Sequence, residues 1–130
     1  MAFQTAFETR HTDTYAATPF VHAGVLLAFT EMTYARLEEH LGFSKPEHIV
    51  CVQRETRAVY SAPLHWRDGA TVDVTTTEAS QRGFTQEFTV RSTATGTIAA
   101  TFIHRWAWLD TATGRRVDIP EDVVVALRGV

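Results

Sequence analysis

The sequence predicts a single α+β domain in which a curved antiparallel β-sheet of about five strands wraps around one long α-helix. The length of 130 residues suits one domain with a single hydrophobic core. Helical spacing of apolar residues dominates one long segment near the amino terminus, whereas most later segments alternate with a period of two. A long helix followed by an antiparallel meander packs best when the sheet curls around the helix.

The long helix is expected from about His22 to Leu41. Its apolar residues recur three and four positions apart, which gathers them on one face: Val25, Leu26, Phe29, Met32 and Leu37. Gly42 supplies the usual C-terminal stop. A first strand is predicted over residues 2–10, and a loop over residues 11–21 joins it to the helix.

Four further strands with alternating apolar residues are expected, over residues 49–62, 72–80, 84–90 and 98–109. The last of them carries apolar residues on both faces, so we expect it at the centre of the sheet or under a second subunit. Pro120, Glu121 and Asp122 then predict a short terminal helix, because proline suits the first helical position and acids suit the first turn.

Composition excludes several classes of protein. The net charge is −3 and the arginines are scattered, so neither a nucleic-acid partner nor a membrane surface is expected. The first twenty residues lack the apolar core of a signal peptide, and the charge-free run over residues 14–30 is too polar to span a membrane. The single cysteine, Cys51, excludes an intrachain disulfide and fits a reducing compartment. These features predict a soluble cytoplasmic protein.

Common cofactor and metal motifs are missing from the sequence. The six histidines show no short spacing with cysteine or carboxylate that is typical of zinc sites. There is no phosphate loop, no dinucleotide fingerprint and no Gly-x-Ser-x-Gly elbow. We therefore expect no cofactor and no metal. His104 and Cys51 are interpreted as residues that pack within their strands.

Glu31 is the one residue of the long helix that does not suit its neighbours. It is the only charged residue between Asp13 and Arg36, and it lies among apolar side chains. A carboxylate in such a setting loses hydration, which would raise its pKa and make it a candidate for acid–base or nucleophilic catalysis. The alternative is a surface or structurally paired carboxylate.

His22, Ala23 and Gly24 begin the helix, where backbone N–H groups have no intrahelical partner. Small residues there let a substrate carbonyl approach these N–H groups, as an oxyanion hole requires. Glu31 lies eight residues beyond Ala23, which is about 12 Å along a helix axis. One helix cannot place both groups about 3 Å from one carbonyl carbon. If both are functional, two copies of the helix must lie side by side, so this hypothesis requires a homodimer.

The sequence His22-Ala23-Gly24, with Glu31 nine residues after the histidine, resembles the His-Gly-Gly … Asp/Glu signature of hot-dog-fold acyl-CoA thioesterases of the 4-hydroxybenzoyl-CoA and phenylacetate-pathway kind. The order of elements extends the resemblance over most of the chain. It implies that Glu31 attacks the thioester or activates water, while the Ala23 amide polarises the carbonyl and His22 and Gly24 shape the helix start. It also implies sites between subunits of a homodimer, with pairing of dimers into tetramers left open.

The sequence departs from the family pattern in three ways. The Asn or Gln that the family often places a few residues before the histidine is absent, and Tyr15, Ala16 and Thr18 occupy that region. Ala23 replaces the first glycine of the motif, which keeps the N–H but adds a methyl group. A neighbouring branch of thioesterases carries Asp-Thr-Asp before the helix, and here the working aspartate of that pattern is replaced by Tyr15. Asp13 matches its first acid and is a reserve candidate for the catalytic carboxylate.

Substrate contacts are expected at Tyr15, at Gly24 and at Arg82, which lies in a predicted turn. Coenzyme A carries phosphates, and a guanidinium group binds phosphate in a bidentate manner. The alternative is that Arg82 is solvated or forms an interface ion pair.

The leading functional hypothesis is hydrolysis of an acyl-CoA or acyl-carrier thioester. The first alternative is a non-catalytic acyl-ligand-binding protein of the same fold, in which Ala23 and Tyr15 mark loss of the active site. A hydratase or dehydratase of this fold ranks last, because the hydratase pattern Asp-x-Asn-Pro-x-His is missing. The acyl group and its carrier cannot be read from these residues.

Overall fold

The computed structural model describes residues 3–130, which form a six-stranded antiparallel sheet and two α-helices. The strands are β1 (Phe3–Phe7), β2 (Ile49–Tyr60), β3 (Ala70–Ser80), β4 (Gly83–Ser92), β5 (Ile98–Asp110) and β6 (Arg115–Val117). The helices are α1 (Ala23–Leu41) and α2 (Glu121–Arg128), and a 3-10 helix spans His11–Asp13.

The sheet has the order β1-β3-β4-β5-β2, and β6 pairs with the end of β5. It curves around α1, which contacts β1, β3, β4 and β5. The predicted α+β arrangement of a long helix wrapped by an antiparallel sheet is confirmed. The strand with two apolar faces, β5, lies between β4 and β2, as its sequence predicted.

Both helices have ends that follow from their sequences. His22 is the N-cap of α1, and Gly42 ends this helix in the left-handed conformation (φ 75°), with its N–H 3.1 Å from the Glu38 carbonyl. The terminal helix α2 begins at Glu121, one residue later than predicted, because Pro120 serves as its N-cap. Within residues 3–130, neither helix combines the length and apolarity needed to cross a membrane.

The buried face of α1 differs from the predicted apolar face. Met32 is 46% exposed, so its assignment to the core was wrong. Thr30, Thr33 and Tyr34 are buried in its place. The two threonines can be buried because their hydroxyls donate to carbonyls of the preceding turn, Thr30 to Leu27 at 2.6 Å and Thr33 to Phe29 at 2.8 Å.

Two strand predictions also need correction. The first strand covers only Phe3–Phe7, shorter than the predicted range of 2–10, and the predicted start at Ala2 lies outside the described residues. A sixth strand, β6, follows what was predicted to be the last one. Three residues are too few to show a period of two, so this strand had no signal in the sequence.

His104 joins α1, β5 and β2 inside the core. Its Nε2 lies 2.8 Å from the Thr30 hydroxyl, and its Nδ1 lies 3.0 Å from the Thr56 hydroxyl. Since Thr30 already donates its hydrogen to Leu27, Nε2–H is the donor in the first of these contacts. With Nδ1 unprotonated the ring is neutral, and Nδ1 and Gln53 Oε1, each 3.0 Å from the Thr56 hydroxyl, are alternative acceptors of its single hydrogen. Burial favours this neutral form and lowers the pKa of His104 to about 4.

This burial predicts a loss of stability in mild acid. The unfolded chain protonates His104 near pH 6.5, whereas the folded chain does so only near pH 4. The contribution of neutral His104 to the free energy of unfolding is therefore complete above about pH 6.5. It decreases as the pH falls toward 4, by on the order of 3 kcal/mol. Urea unfolding between pH 4 and 7 measures it. We expect His104→Gln to flatten this pH dependence and the exposed-site control His48→Gln to retain it. An equal pH dependence in wild type and His104→Gln would contradict the assignment.

Candidate active site

The first turn of α1 has its backbone N–H groups bonded within the chain. The Gly24 amide donates to Nδ1 of His22 at 2.8 Å, and the Ala23 amide donates to the Tyr15 hydroxyl at 3.0 Å. The next two amides, of Val25 and Leu26, donate to the His22 carbonyl. A carbonyl oxygen can therefore reach the Ala23 N–H only at the place where the Tyr15 hydroxyl now lies.

A tight loop before α1 brings Tyr15 to the helix start. Thr14 and Val21 form an isolated bridge, and the Tyr15 N–H donates to the Phe20 carbonyl at 3.0 Å. Ala17 turns the loop in the left-handed conformation (φ 60°), which is uncommon for a residue with a side chain. The result places the Tyr15 ring against the His22 ring, with centroids 4.4 Å apart.

A cavity of about 350 Å³ opens at this helix start, and we call it the Ala23 cavity. Tyr15, Ala23 and Leu26 line one side, and residues 60–64, at the end of β2 and just beyond it, line the other. Most of its wall is apolar, with the Tyr15 hydroxyl among the polar groups at its edge. Such a lining suits an acyl group next to a polar reacting centre.

Glu31 lies on the exposed face of α1, together with Ala28, Met32 and Ala35. The expectation that it is dehydrated among apolar residues is wrong for the single chain, because its apolar neighbours are themselves exposed. Within residues 3–130, its carboxylate makes no hydrogen bond and no ion pair. Glu31 borders a second cavity, of about 390 Å³, which we call the Glu31 cavity.

The Glu31 cavity is also lined by Tyr34, Glu38, Lys45, Val50, Cys51 and Trp106. Glu38 and Lys45 form an ion pair there. Burial raises the pKa of the Cys51 thiol to about 12 and also raises the pKa of the Tyr34 phenol, which lies near Cys51 and Glu38. Both groups therefore stay protonated near neutral pH. Cys51 consequently lacks the thiolate that a nucleophile needs.

Asp13 has a structural position in the loop before α1. Its carboxylate accepts from the Arg10 amide at 2.8 Å, and its carbonyl accepts from the His22 amide at 2.8 Å. These bonds fix the 3-10 helix and the start of α1. Asp13 borders neither the Ala23 cavity nor the Glu31 cavity.

Arg82 lies exposed in the turn between β3 and β4. It borders a third cavity with Glu78, Arg105 and Trp106, and Trp106 also lines the Glu31 cavity. This third cavity shares no lining residue with the Ala23 cavity.

The chain thus separates the predicted residues into two groups. Tyr15, His22, Ala23 and Gly24 lie together at the helix start, whereas Glu31 lies about 12 Å further along α1. Sequence reasoning missed the wall formed by residues 60–64. It considered Trp106 for the lining of an acyl pocket but favoured a place in the core, and Trp106 lines two cavities. Alternation in β5 could indicate that Trp106 points to one face of the sheet, but not that cavities open beside it.

Comparison with known proteins agrees with this fold. A 1,4-dihydroxy-2-naphthoyl-CoA thioesterase from Synechocystis has a TM-score of 0.84 at 16% identity, covering 98% of this chain and 96% of that chain. A thioesterase from Thermus thermophilus, complexed with coenzyme A and Zn, has a TM-score of 0.79 at 22% identity, covering 98% and 94%. A Staphylococcus aureus protein in complex with CoA has a TM-score of 0.85 at 16% identity, covering 99% and 83%. Comparison with curated protein sequences finds no significant match.

Residues 11–127 match the thioesterase-like superfamily, so the chain belongs to that family. The structural similarity confirms the hot-dog fold that the His-Ala-Gly … Glu pattern suggested. Family membership assigns the protein to the thioester-hydrolysing class, without identifying its acyl group.

The cap of α1 can be tested through the His22 side chain. We expect His22→Ala to lower the free energy of unfolding by about 1 kcal/mol, because the Gly24 amide loses its acceptor. His22→Asn provides a side-chain oxygen at the N-cap and should recover most of this loss. Chemical denaturation of the three proteins measures the difference. Equal destabilisation by alanine and asparagine would show that the His22 ring stabilises the loop by packing and not by accepting the hydrogen bond.

Proposed function

We propose that the protein hydrolyses an acyl-CoA thioester at a site shared between two copies of the chain, with an acyl-carrier thioester as the alternative substrate. One observation carries the proposal: Glu31 and the helix start lie in separate open cavities that border opposite ends of strand β2. Family membership supports thioester hydrolysis. The two structural relatives solved with coenzyme A support the choice of carrier.

Strand β2 is suited to pairing with a second copy. It lies at one edge of the sheet, and its residues from Arg54 to Tyr60 are exposed. Val59 and Tyr60 are large apolar residues on this edge, exposed by 64% and 55%. A long edge with apolar side chains is a template for association unless another chain covers it.

Antiparallel pairing of two β2 strands about Thr56 has complementary charges. It places Glu55 opposite the partner's Arg57, and the symmetry of a two-fold dimer repeats this pair. It also brings Val50 and Cys51 of one copy toward residues 60–62 at the end of β2 in the other. Since Val50 lines the Glu31 cavity and residues 60–62 line the Ala23 cavity, the two cavities would merge into one crevice.

In such a crevice a thioester carbonyl would lie between Glu31 of one copy and the helix start of the other. Glu31 would either attack the carbonyl carbon or take a proton from an attacking water. The electrons of the C=O bond move onto oxygen, where the positive end of α1 stabilises the charge. Collapse of the adduct breaks the C–S bond, and the sulfur leaves as a thiol after protonation. Where Glu31 is the nucleophile, water then hydrolyses the acyl–Glu31 anhydride and restores the carboxylate.

Arg82 and Arg105 would contact the phosphates of coenzyme A. Both border the cavity that shares Trp106 with the Glu31 cavity. Glu78 borders this cavity as well and partly offsets their charge. Guanidinium groups at such a position would hold the carrier while the acyl group enters the crevice.

Glu31→Gln tests the role of the carboxylate. The amide keeps the shape of the side chain but cannot act as base or nucleophile, so we expect kcat to fall by at least about 100-fold. The measurement is thiol release from a panel of short, aromatic and long acyl-CoA thioesters. Glu39→Gln, on the exposed part of the same helix, is the matched control and should retain activity. Wild-type rates in Glu31→Gln would reject Glu31 and direct the test to Asp13→Asn. Saturable binding of the panel without turnover in wild type would favour the non-catalytic alternative.

A mixed dimer tests whether the site is shared. Ala23→Pro removes the N–H at the first helical position, where proline is tolerated and where the extended His22 (ψ 141°) accommodates it. Ala23→Pro and Glu31→Gln should each be inactive as homodimers. Co-expression should restore about a quarter of wild-type activity, because half of the dimers are mixed and each has one intact site.

The control for the mixed dimer is Ala23→Ser, which keeps the N–H and should retain activity in the homodimer. If the co-expressed inactive variants stay inactive while purified mixed dimers are present, each site is built from one chain and the proposal is wrong.

A further inference from the structure

We propose that Tyr15 is a catalytic residue whose phenol hydroxyl donates the hydrogen bond to the thioester carbonyl oxygen, while the Ala23 amide holds and polarises that hydroxyl. The inference rests on the proposed function, because it concerns the same carbonyl group. It differs in the donor: the backbone amide acts on the phenol, and the phenol acts on the substrate.

The hydrogen-bond geometry leaves the phenol hydrogen available. The Ala23 N–H, 3.0 Å away, uses one lone pair of the Tyr15 oxygen. Among residues 3–130, no acceptor for the phenol hydrogen is found. Tyr15 is 42% exposed and borders the Ala23 cavity, so this hydrogen can reach a ligand there.

The position at the helix start makes the phenol a stronger donor. The first N–H groups of α1 carry the positive end of the helix dipole, and the one at Ala23 bonds directly to the phenol oxygen. A hydroxyl that accepts a hydrogen bond is polarised and donates more strongly through its own hydrogen. Two successive hydrogen bonds, from the Ala23 N–H to the Tyr15 oxygen and from the Tyr15 O–H to the carbonyl oxygen, therefore extend the effect of the helix dipole to the substrate.

The Tyr15 side chain is held in place at both ends, which disfavours its displacement by substrate. Its backbone N–H donates to Phe20 and its carbonyl accepts from Thr18 at 3.2 Å. Its ring packs on His22, whose own ring is fixed by the bond from Gly24. A carbonyl oxygen that adds to the free phenol hydrogen leaves all of these contacts intact, whereas one that takes the Ala23 amide must displace the Tyr15 hydroxyl and disturb the packing of its ring on His22.

The same arrangement accounts for the chemistry of the step. As hydroxide oxygen from water, or the Glu31 carboxylate, bonds to the carbonyl carbon, the C=O electron pair moves onto oxygen and the Tyr15 hydrogen bond strengthens. The phenol keeps its proton throughout. When the C–S bond breaks, its electron pair goes to sulfur. If water is the nucleophile, the thiolate takes the proton that Glu31 removed from that water. If Glu31 is the nucleophile, water then hydrolyses the acyl–Glu31 anhydride, which restores the carboxylate and supplies the proton for the thiolate.

Tyr15→Phe distinguishes a donor from a residue that merely occupies the amide. If Tyr15 donates to the carbonyl, the variant should lose about 100-fold in kcat, as the removal of one oxyanion donor does elsewhere, with little change in KM. If Tyr15 only blocks the Ala23 amide, its removal frees that amide and kcat/KM rises or stays the same, which overturns the inference. Thr75→Val removes an exposed hydroxyl on β3, away from both cavities, and should leave kcat unchanged.

A spectroscopic measurement separates this inference from the proposed hydrolysis. The probes are ketone analogues of acetyl-, benzoyl- and octanoyl-coenzyme A, in which a methylene group replaces sulfur and the carbonyl carbon is ¹³C. Binding to wild type should move the carbonyl resonance downfield, and binding to Tyr15→Phe should not.

If no thioester is hydrolysed but this shift is present and depends on Tyr15, the hydrolysis proposal fails and the carbonyl contact stands. If hydrolysis occurs but the shift persists in Tyr15→Phe, the Tyr15 inference alone is wrong. If wild type binds none of the probes, the Tyr15 inference is also overturned.

Discussion

The geometry of α1 is the constraint on which the functional interpretation depends. Ala23 and Glu31 lie on one continuous helix, eight residues and about 12 Å apart. A reacting carbonyl needs its base or nucleophile and its oxyanion donors within about 3 Å, so these two groups cannot serve the same carbonyl within one chain. Strand β2 lies exposed at the edge of the sheet, with a cavity at each end. Pairing of two β2 strands would therefore bring the Glu31 cavity of one chain next to the Ala23 cavity of the other.

The helix start shows how a chain can satisfy its unpaired amides and still present a donor to a ligand. Side chains of the preceding loop and the N-cap accept the first two N–H groups, so the structure does not leave them without partners. One of these acceptors is a phenol, which has a hydrogen of its own. The Tyr15 hydroxyl can therefore donate to a ligand in place of the Ala23 backbone amide that donates to it. The turn at Ala17 and the contact with His22 determine where that hydroxyl lies.

Much of the fold could be predicted because its elements are long and periodic. The helix, its glycine stop and the central position of β5 all follow from patterns of ten or more residues. The prediction failed where hydrogen bonding and not apolarity decides burial: Thr30 and Thr33 enter the core because they bond to carbonyls of their own helix, while Met32 remains exposed. The Tyr15–Ala23 bond could not be predicted either, since it depends on the backbone conformation of a loop and not on a spacing.

The central claim is that each site takes its carboxylate and its oxyanion donors from different chains. The most direct test is a crystal structure of the wild-type protein with a ketone analogue of an acyl-CoA bound. A shared site predicts a dimer in which the Glu31 carboxylate of one copy and the Tyr15 hydroxyl of the other both lie about 3 Å from the carbonyl group. A ligand carbonyl contacted by Tyr15 with Glu31 of every copy facing bulk solvent would contradict it.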